Sequence, residues 1–424
     1  MHDHVQRPAG GPAGAPFSEV DREVGRRAAA APGTHGSPET AGIDLLDGDL
    51  YAGDPWPVYA WLREHAPVYR DAANDLWGVS RHADICAVER DARLWSNAAG
   101  YRPQLPSDPS MIGVDDPEHA ERRRLIYRRF TPRHVTERYA GRVRSVVTEL
   151  LDDALDRGTV DAVPALAAPL PGRMIGWLLG FPDERWRELV HWSETTVVAG
   201  GGLRYVTHEA AVAAGEFATA VLELAAERRG CPRDDLTSIW SREPRYDDER
   251  LANEALLLLD GGAETTRTVI ATAVDALIGH PEQWRLLRED PALIENAVEE
   301  FIRWTTPILN MCRTATRDTA LAGRSIPAGA QVLLMYGSAN RDPAVFADPG
   351  VFDVTRPPGG HIAFGLGTHF CLGAALARLE LRIFFEEFVR RVGSAERADE
   401  AGPRVVPNAF VRGVSSFPVT LRPR

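Results

Sequence analysis

HIAFGLGTHFCLGAALARLELR, residues 361–382, places a single cysteine, Cys371, between a glycine-rich approach and a run rich in alanine and leucine. Gly365 and Gly367 permit a tight backbone path, and Leu372, Ala375, Leu376 and Leu379 set a helical period that begins just after the cysteine. Cys371 is therefore predicted at a helix N-terminus, where orphan amides and the positive end of the dipole favour a thiolate. A small buried hydrophobe, a nucleophile and a metal ligand all suit that position. His369 is a poor base for a nucleophile because a loop sets its direction, whereas Phe364 and the glycines suit the apolar cover and flat approach of a haem thiolate. Local physics leaves these readings open.

Phe364-Gly365-Leu366-Gly367-Thr368-His369-Phe370-Cys371-Leu372-Gly373 resembles the haem-binding signature of the cytochromes P450. The resemblance implies that Cys371 is the axial ligand of haem b, with Phe364 and Gly373 among the cofactor-binding positions. It also implies a mainly α fold with small β-sheets, in a single domain shaped like a triangular prism.

Outward from the cysteine, residues 256–280 read LLLLDGGAETTRTVIATAVDALIGH, a long helical pattern interrupted by Gly261 and Gly262. Two interior glycines cost about 1 kcal/mol each relative to alanine, so a close ligand or a local widening of the helix is expected there. Thr265 lies four residues after Gly261 and shares its face. The run resembles the oxygen-activation motif of the same family, which implies that Glu264 and Thr265 deliver protons to dioxygen, the co-substrate, while Gly261 and Gly262 border the cofactor. Asp260 is expected to point off the glycine–threonine face and to bond elsewhere.

Glu300 and Arg303 are spaced three apart on a helical pattern, and by themselves they read as a surface ion pair. They resemble the family's ExxR pair, which implies a buried structural network with Arg356 as third member. His119 and Arg123 share a helix face in a segment resembling the one that contacts a haem propionate, and Arg313 and His369 match further propionate positions. Arg122, Arg124, Arg128 and Arg129 form a basic patch on an otherwise acidic chain.

The net charge of −12 argues against nucleic acid and anionic membranes as partners. Every basic residue other than histidine is arginine, so a cationic docking face consists of planar guanidinium forks. Cys86, Cys231, Cys312 and Cys371 form no CxxC pair, which suggests neither a disulfide framework nor a zinc site. The apolar runs are too short to span a bilayer and the first residues lack a signal-peptide core, so a cytoplasmic protein is expected. Residues 1–43, dense in Ala, Gly and Pro, are expected to be a disordered tail, leaving 44–424 as the haem-thiolate domain. Helical spacing covers 117–130, 134–156, 183–198, 207–229, 247–279 and 291–304, with short strands at TALAG, RSIPAG and QVLLMYGSAN and a closing hairpin from AFVRG to FPVTLRP.

The substrate pocket matches no fixed motif. Tyr101, Arg102, Gln104, Arg204 and Asn310 are candidate polar anchors and Phe410 an apolar one, in a lining suited to a medium-sized hydrophobic molecule. The resemblance implies a monooxygenase that hydroxylates such a molecule in secondary metabolism or steroid or terpenoid conversion. Its electrons would come from NAD(P)H through a separate ferredoxin and ferredoxin reductase, and the enzyme is expected to be a monomer. Oxidative coupling or epoxidation and a non-catalytic haem-binding protein are the competing readings.

Overall fold

In chain order the helices are α1 (Gly48–Ala52), α2 (Trp56–His65), α3 (His82–Arg90), α4 (Glu118–Tyr127), α5 (Pro132–Arg157), α6 (Pro169–Leu179), α7 (Trp186–Thr196), α8 (His208–Gly230), α9 (Leu236–Trp240), α10 (Asp248–Gly279), α11 (Pro281–Glu289), α12 (Leu293–Thr305), α13 (Tyr336–Ala339) and α14 (Ala374–Arg391). The strands are β1 (Val68–Asp71), β2 (Leu76–Val79), β3 (Trp95–Ser96), β4 (Thr159–Asp161), β5 (Asn310–Ala315), β6 (Thr319–Leu321), β7 (Arg324–Ile326), β8 (Gln331–Met335), β9 (Val392–Arg397), β10 (Arg404–Val405), β11 (Val414–Ser416) and β12 (Pro418–Pro423). This computed structural model describes residues 42–424, so the tail expected over 1–43 lies outside the described residues but for its last two positions.

The axis of the molecule is α10. The Asp247 side chain accepts from the amide of Arg250, and Asp248 and Glu249 place negative charge in the first turn, where the helix dipole favours it. With 32 residues it spans about 48 Å. It is buried along much of its length by α6, α7, α8 and α12, and by α14, whose Phe384, Phe385 and Phe388 are fully buried. Phe385 meets Phe301 of α12 at 4.5 Å between ring centroids, which ties the helix after the cysteine to the helix carrying Glu300 and Arg303.

A second core lies between the five-stranded sheet, ordered β1-β2-β8-β5-β3, and α3, where Val79, Ile85, Val88, Val332 and Leu334 pack together. The smaller sheets are β4-β12-β9, β6-β7 and β10-β11. The six predicted helical stretches are present, although 183–198 divides into a 3-10 turn, α7 and a second 3-10 turn.

Two strand expectations are corrected. QVLLMYGSAN is extended only to Met335; α13 follows, because Tyr336 turns inward to donate to Glu89 and the Ser338 hydroxyl donates to the Ser80 carbonyl. AFVRG does not pair with FPVTLRP. The Leu309 amide donates to the Phe410 carbonyl and the Arg412 amide to the Pro307 carbonyl, so the first segment is held by the chain before β5, while β12 inserts between β4 and β9.

Candidate haem-thiolate site

The cysteine loop is built on the C-terminal turn of α3. Gly367 adopts φ +63°, and a Cβ there would stand 2.5 Å from the Glu89 carbonyl oxygen, so both conformation and space demand glycine. The Leu366 amide donates to the Glu89 carboxylate at 3.0 Å, and the Cys371 amide donates to the Phe364 carbonyl at 2.9 Å. The helix begins at Ala374, three residues beyond the cysteine. Burial pushes the Cys371 thiol up, while the amides of Gly373 and Ala374 and the charges of Arg123 and Arg378 pull it toward the thiolate.

Cys371 faces a cavity whose opposite wall is α10. Its lining joins the cysteine loop to α10 and to Tyr101, Arg102 and Phe410, so one cavity borders both the thiol and candidate substrate contacts. A Cβ on Gly261 would have nothing within 4 Å, and this residue opens directly onto the cavity, whereas a Cβ on Gly262 would touch Ile175 of α6 at 3.1 Å. One glycine leaves room for a ligand and the other lets two helices approach, and the expected local widening of α10 is not seen. Thr265 lines the cavity, and its hydroxyl donates to the Gly261 carbonyl at 2.8 Å.

Glu264 does not line the cavity. A step of one residue turns it about 100° from Thr265, and its carboxylate lies 3.1 Å from Arg267, which also reaches Glu194 at 2.7 Å and donates to the Val414 carbonyl. Burial pushes the Glu264 carboxyl up and Arg267 draws it back. Asp260, expected to point away, lines the cavity beside Gly261 while accepting from the Thr196 hydroxyl at 2.7 Å. The cavity wraps far enough round α10 to reach both.

Four residues read as propionate partners converge on the cavity, but they do not all bring charge. His119 and His369 lie with ring centroids 4.2 Å apart. Burial lowers the basicity of both, and that of His369 falls to about 2, with His119, Arg313 and Arg123 adding repulsion. The two imidazoles are neutral hydrogen-bonding groups. Arg313 spends its charge on Glu89 at 2.8 Å, a pair the Tyr336 hydroxyl joins. Arg123 alone of the four is a cation without an ion pair among the described residues, and His369 Nδ1 is buried without a partner. A facing thiol, an orphan ring nitrogen and one uncommitted guanidinium fit a flat iron-bearing group with an anionic edge.

Glu300 and Arg303 meet in a fork at 2.7 Å, and Arg356 closes on Glu300 at 3.2 Å. Arg303 also donates to the carbonyls of Asn340 and Pro349, which ties α12 to the loops leading to the cysteine. Glu299, next in sequence, clamps Arg378 and His361; burial works against its ionisation, but these partners hold its carboxyl down to about 2.

Of the substrate anchors, Tyr101, Arg102 and Phe410 line the cavity and Gln104, Arg204 and Asn310 do not. Gln104, at φ +61°, donates its backbone amide to the Gln331 side chain, and its side-chain amide reaches Asn74. Arg204 pairs with Asp44, and Asn310 donates to the Ala409 carbonyl. Sequence reading missed Glu89, which organises the cysteine loop, and Asn408, whose side chain accepts from the amides of Phe410 and Val411 and so aims Phe410 inward. No helix among the described residues is long and apolar enough to cross a membrane.

Residues 227–396 match the family model described as Cytochrome P450. A steroid C26-monooxygenase of Mycobacterium tuberculosis is 40% identical over 397 residues, covering 91% of this chain and 98% of that protein. A polyketide biosynthesis cytochrome P450, PksS, of Bacillus subtilis is 32% identical and covers 88% and 97%. Among solved structures, CYP109E1 of Bacillus megaterium in complex with testosterone superposes with a TM-score of 0.81 at 29% identity, covering 87% of this chain and 98% of that one.

Proposed function

The chain belongs to the cytochrome P450 family and is an oxidoreductase, and from that premise we propose that it inserts one oxygen atom into a medium-sized hydrophobic molecule, foremost by hydroxylating a steroid or terpenoid skeleton. The observation that carries this reading is the Cys371 thiol facing Gly261 and Thr265 across one cavity with otherwise mostly apolar walls. Haem b held by Cys371 supplies dioxygen activation, with electrons drawn from NAD(P)H through a separate ferredoxin and its reductase.

The chain's own residues hold and supply that chemistry. Arg123 and the neutral rings of His119 and His369 bind the anionic edge of the cofactor. Phe364 lines the cavity beside the thiol, covered in turn by Arg378, whose guanidinium lies 4.5 Å from its ring centroid. The Thr265 hydroxyl, parked on the Gly261 carbonyl, is the proton donor within the cavity. Glu264 replenishes it only after leaving Arg267, so the ion pair acts as a gate between the part-exposed Glu194 and the cavity. Of the basic patch, Arg122 is spent on Glu118 and Arg129 on Asp234, which leaves the exposed Arg124 and Arg128 as the cations available to an acidic ferredoxin.

The test is the spectrum of the reduced, carbon-monoxide-bound protein, followed by turnover of a panel of steroids and terpenoids with ferredoxin, reductase and NADPH. A long-wavelength band and products heavier by one oxygen are expected. A colourless protein, or a haem without that band, overturns the thiolate assignment, and coupled or desaturated products replace hydroxylation as the reaction.

A further inference from the structure

Arg102 stands in the cavity wall without an ion pair among the described residues, although Asp260 and Asp108 lie close enough to favour its charge. Its guanidinium lies 5.1 Å from the Tyr101 ring centroid and 5.5 Å from that of Phe410. Its Nε is buried with no hydrogen-bond partner, and among the described residues its side chain forms no ion pair. Both flanking rings are fixed: Tyr101 donates to Asp108, and Asn408 holds Phe410 through two amides while donating to the Val198 carbonyl. The fork is therefore oriented before any ligand arrives, and a planar fork with no protein acceptor matches a planar bidentate anion. A buried donor left without an acceptor is rare enough to require an explanation.

The acids whose charge bears on Arg102 are Asp260, in the lining of the same cavity, and Asp108, which accepts from Tyr101. One of the Asp260 oxygens is taken by the Thr196 hydroxyl, and no ion pair joins Asp260 to Arg102. Burial raises its carboxyl to about 7, Arg102 and Thr196 oppose the rise, and Glu264 and Asp108 add to it. Arg102 is always charged while Asp260 is about half protonated near neutrality, so Asp260 is an incomplete counter-charge for the fork.

We propose that Arg102 determines specificity and that the substrate is a hydrophobic acid whose carboxylate is held by the Arg102 guanidinium between Tyr101 and Phe410. The inference rests on the monooxygenase reading above and narrows its substrate class. Asp260 then acts as a neutral acid donating to the same carboxylate, and the substrate's apolar body runs along the apolar wall of Leu257, Leu258 and Val269 toward Cys371. Because the bound anion opposes ionisation of Asp260, affinity for the acid falls as pH rises above about 7.

The experiment is calorimetric titration of the haem-loaded full chain with hexadecanoic acid, its methyl ester and testosterone. The acid is expected to bind at least about tenfold more tightly than the ester at pH 6.5, as for a charge-assisted contact. Arg102→Gln should bring the acid-to-ester affinity ratio to about one, and Arg102→Lys should keep part of the preference. Asp260→Asn should flatten the pH dependence. An ester or testosterone that binds the native protein as tightly as the acid, or an Arg102→Gln variant that weakens acid and ester equally, overturns the proposal; if that variant does not fold, an unchanged acid-to-ester ratio in Arg102→Lys does so. Neutral ligands that bind and are oxidised while acids are refused sink this inference alone, whereas failure of every ligand to be oxidised sinks the monooxygenase reading as well.

Discussion

The walls around the cysteine and the walls around the substrate treat charge in opposite ways. On the cysteine side Glu299 is matched by Arg378 and His361, Glu300 by Arg303 and Arg356, and Glu89 by Arg313 and Tyr336. On the substrate side Arg102 has no ion pair among the described residues and Asp260 bonds only a hydroxyl. Matched charges build a frame that does not move, and unmatched ones mark where a ligand completes the structure. Glu380 is the exception that sharpens the contrast. It sits on α14, two turns past the cysteine, lines the cavity, and has no partner among the described residues.

The harshest test of the frame is Cys371→Ala, which should abolish the long-wavelength band of the reduced carbon-monoxide complex and with it turnover. A variant that keeps the band removes the cysteine from the site. Next, Glu300→Gln leaves the buried Arg303 guanidinium without its counter-charge and should cost about 3–5 kcal/mol, read from urea unfolding. A loss below about 1 kcal/mol would class the pair with ordinary surface ion pairs.

On the cavity side, Thr265→Ala should lower the yield of product per electron by about 100-fold, the low end for a lost general acid. Glu264→Gln should lower it less, because native Glu264 is held off the cavity by Arg267. Asp260→Ala should leave this coupling intact, its effect falling on ligand affinity, because the proton donor in the cavity is Thr265.

Two pH effects of opposite sign follow from matched and unmatched acids. Glu299 sits below its ordinary value, at about 2, so its contribution is complete above pH 4.5 and is lost as pH falls toward 2; Glu299→Gln should flatten that acid limb of the melting curve. Glu380 is raised by burial to about 8, so the unfolded chain releases its proton first and the native state is penalised progressively from pH 4.5 to 8. Glu380→Gln should therefore raise the melting temperature at pH 9 and leave it unchanged at pH 4. The smallest effect is at the docking face. Arg124→Glu with Arg128→Glu should weaken ferredoxin binding several-fold at low salt and hardly at all at high salt.

The frame was legible in the sequence because its positions admit few residue types at fixed spacing: a thiol at 371, glycine where φ is positive at 365 and 367, an acid and an arginine one turn apart at 300 and 303. The substrate wall was not. Arg102 and Asp260 meet only when the loop before α4 folds against α10, and no local pattern records that. Gln104, Arg204 and Asn310 misled because a polar residue near a cavity has many partners to choose from, and each found one in the protein. Glu264 and Asp260 exchanged places for a plainer reason: helical phase says which residues share a face but not how far a cavity extends around it.

The position of β12 bears on how the protein is made. Residues 418–423 are the middle strand of β4-β12-β9, hydrogen-bonded on both edges, so β4 and β9 gain a common neighbour only once residue 423 has left the ribosome. Until then two strand edges wait open on an otherwise complete helical body, exposed to pairing with other nascent chains. Deleting residues 418–423 would take the keystone out of that sheet.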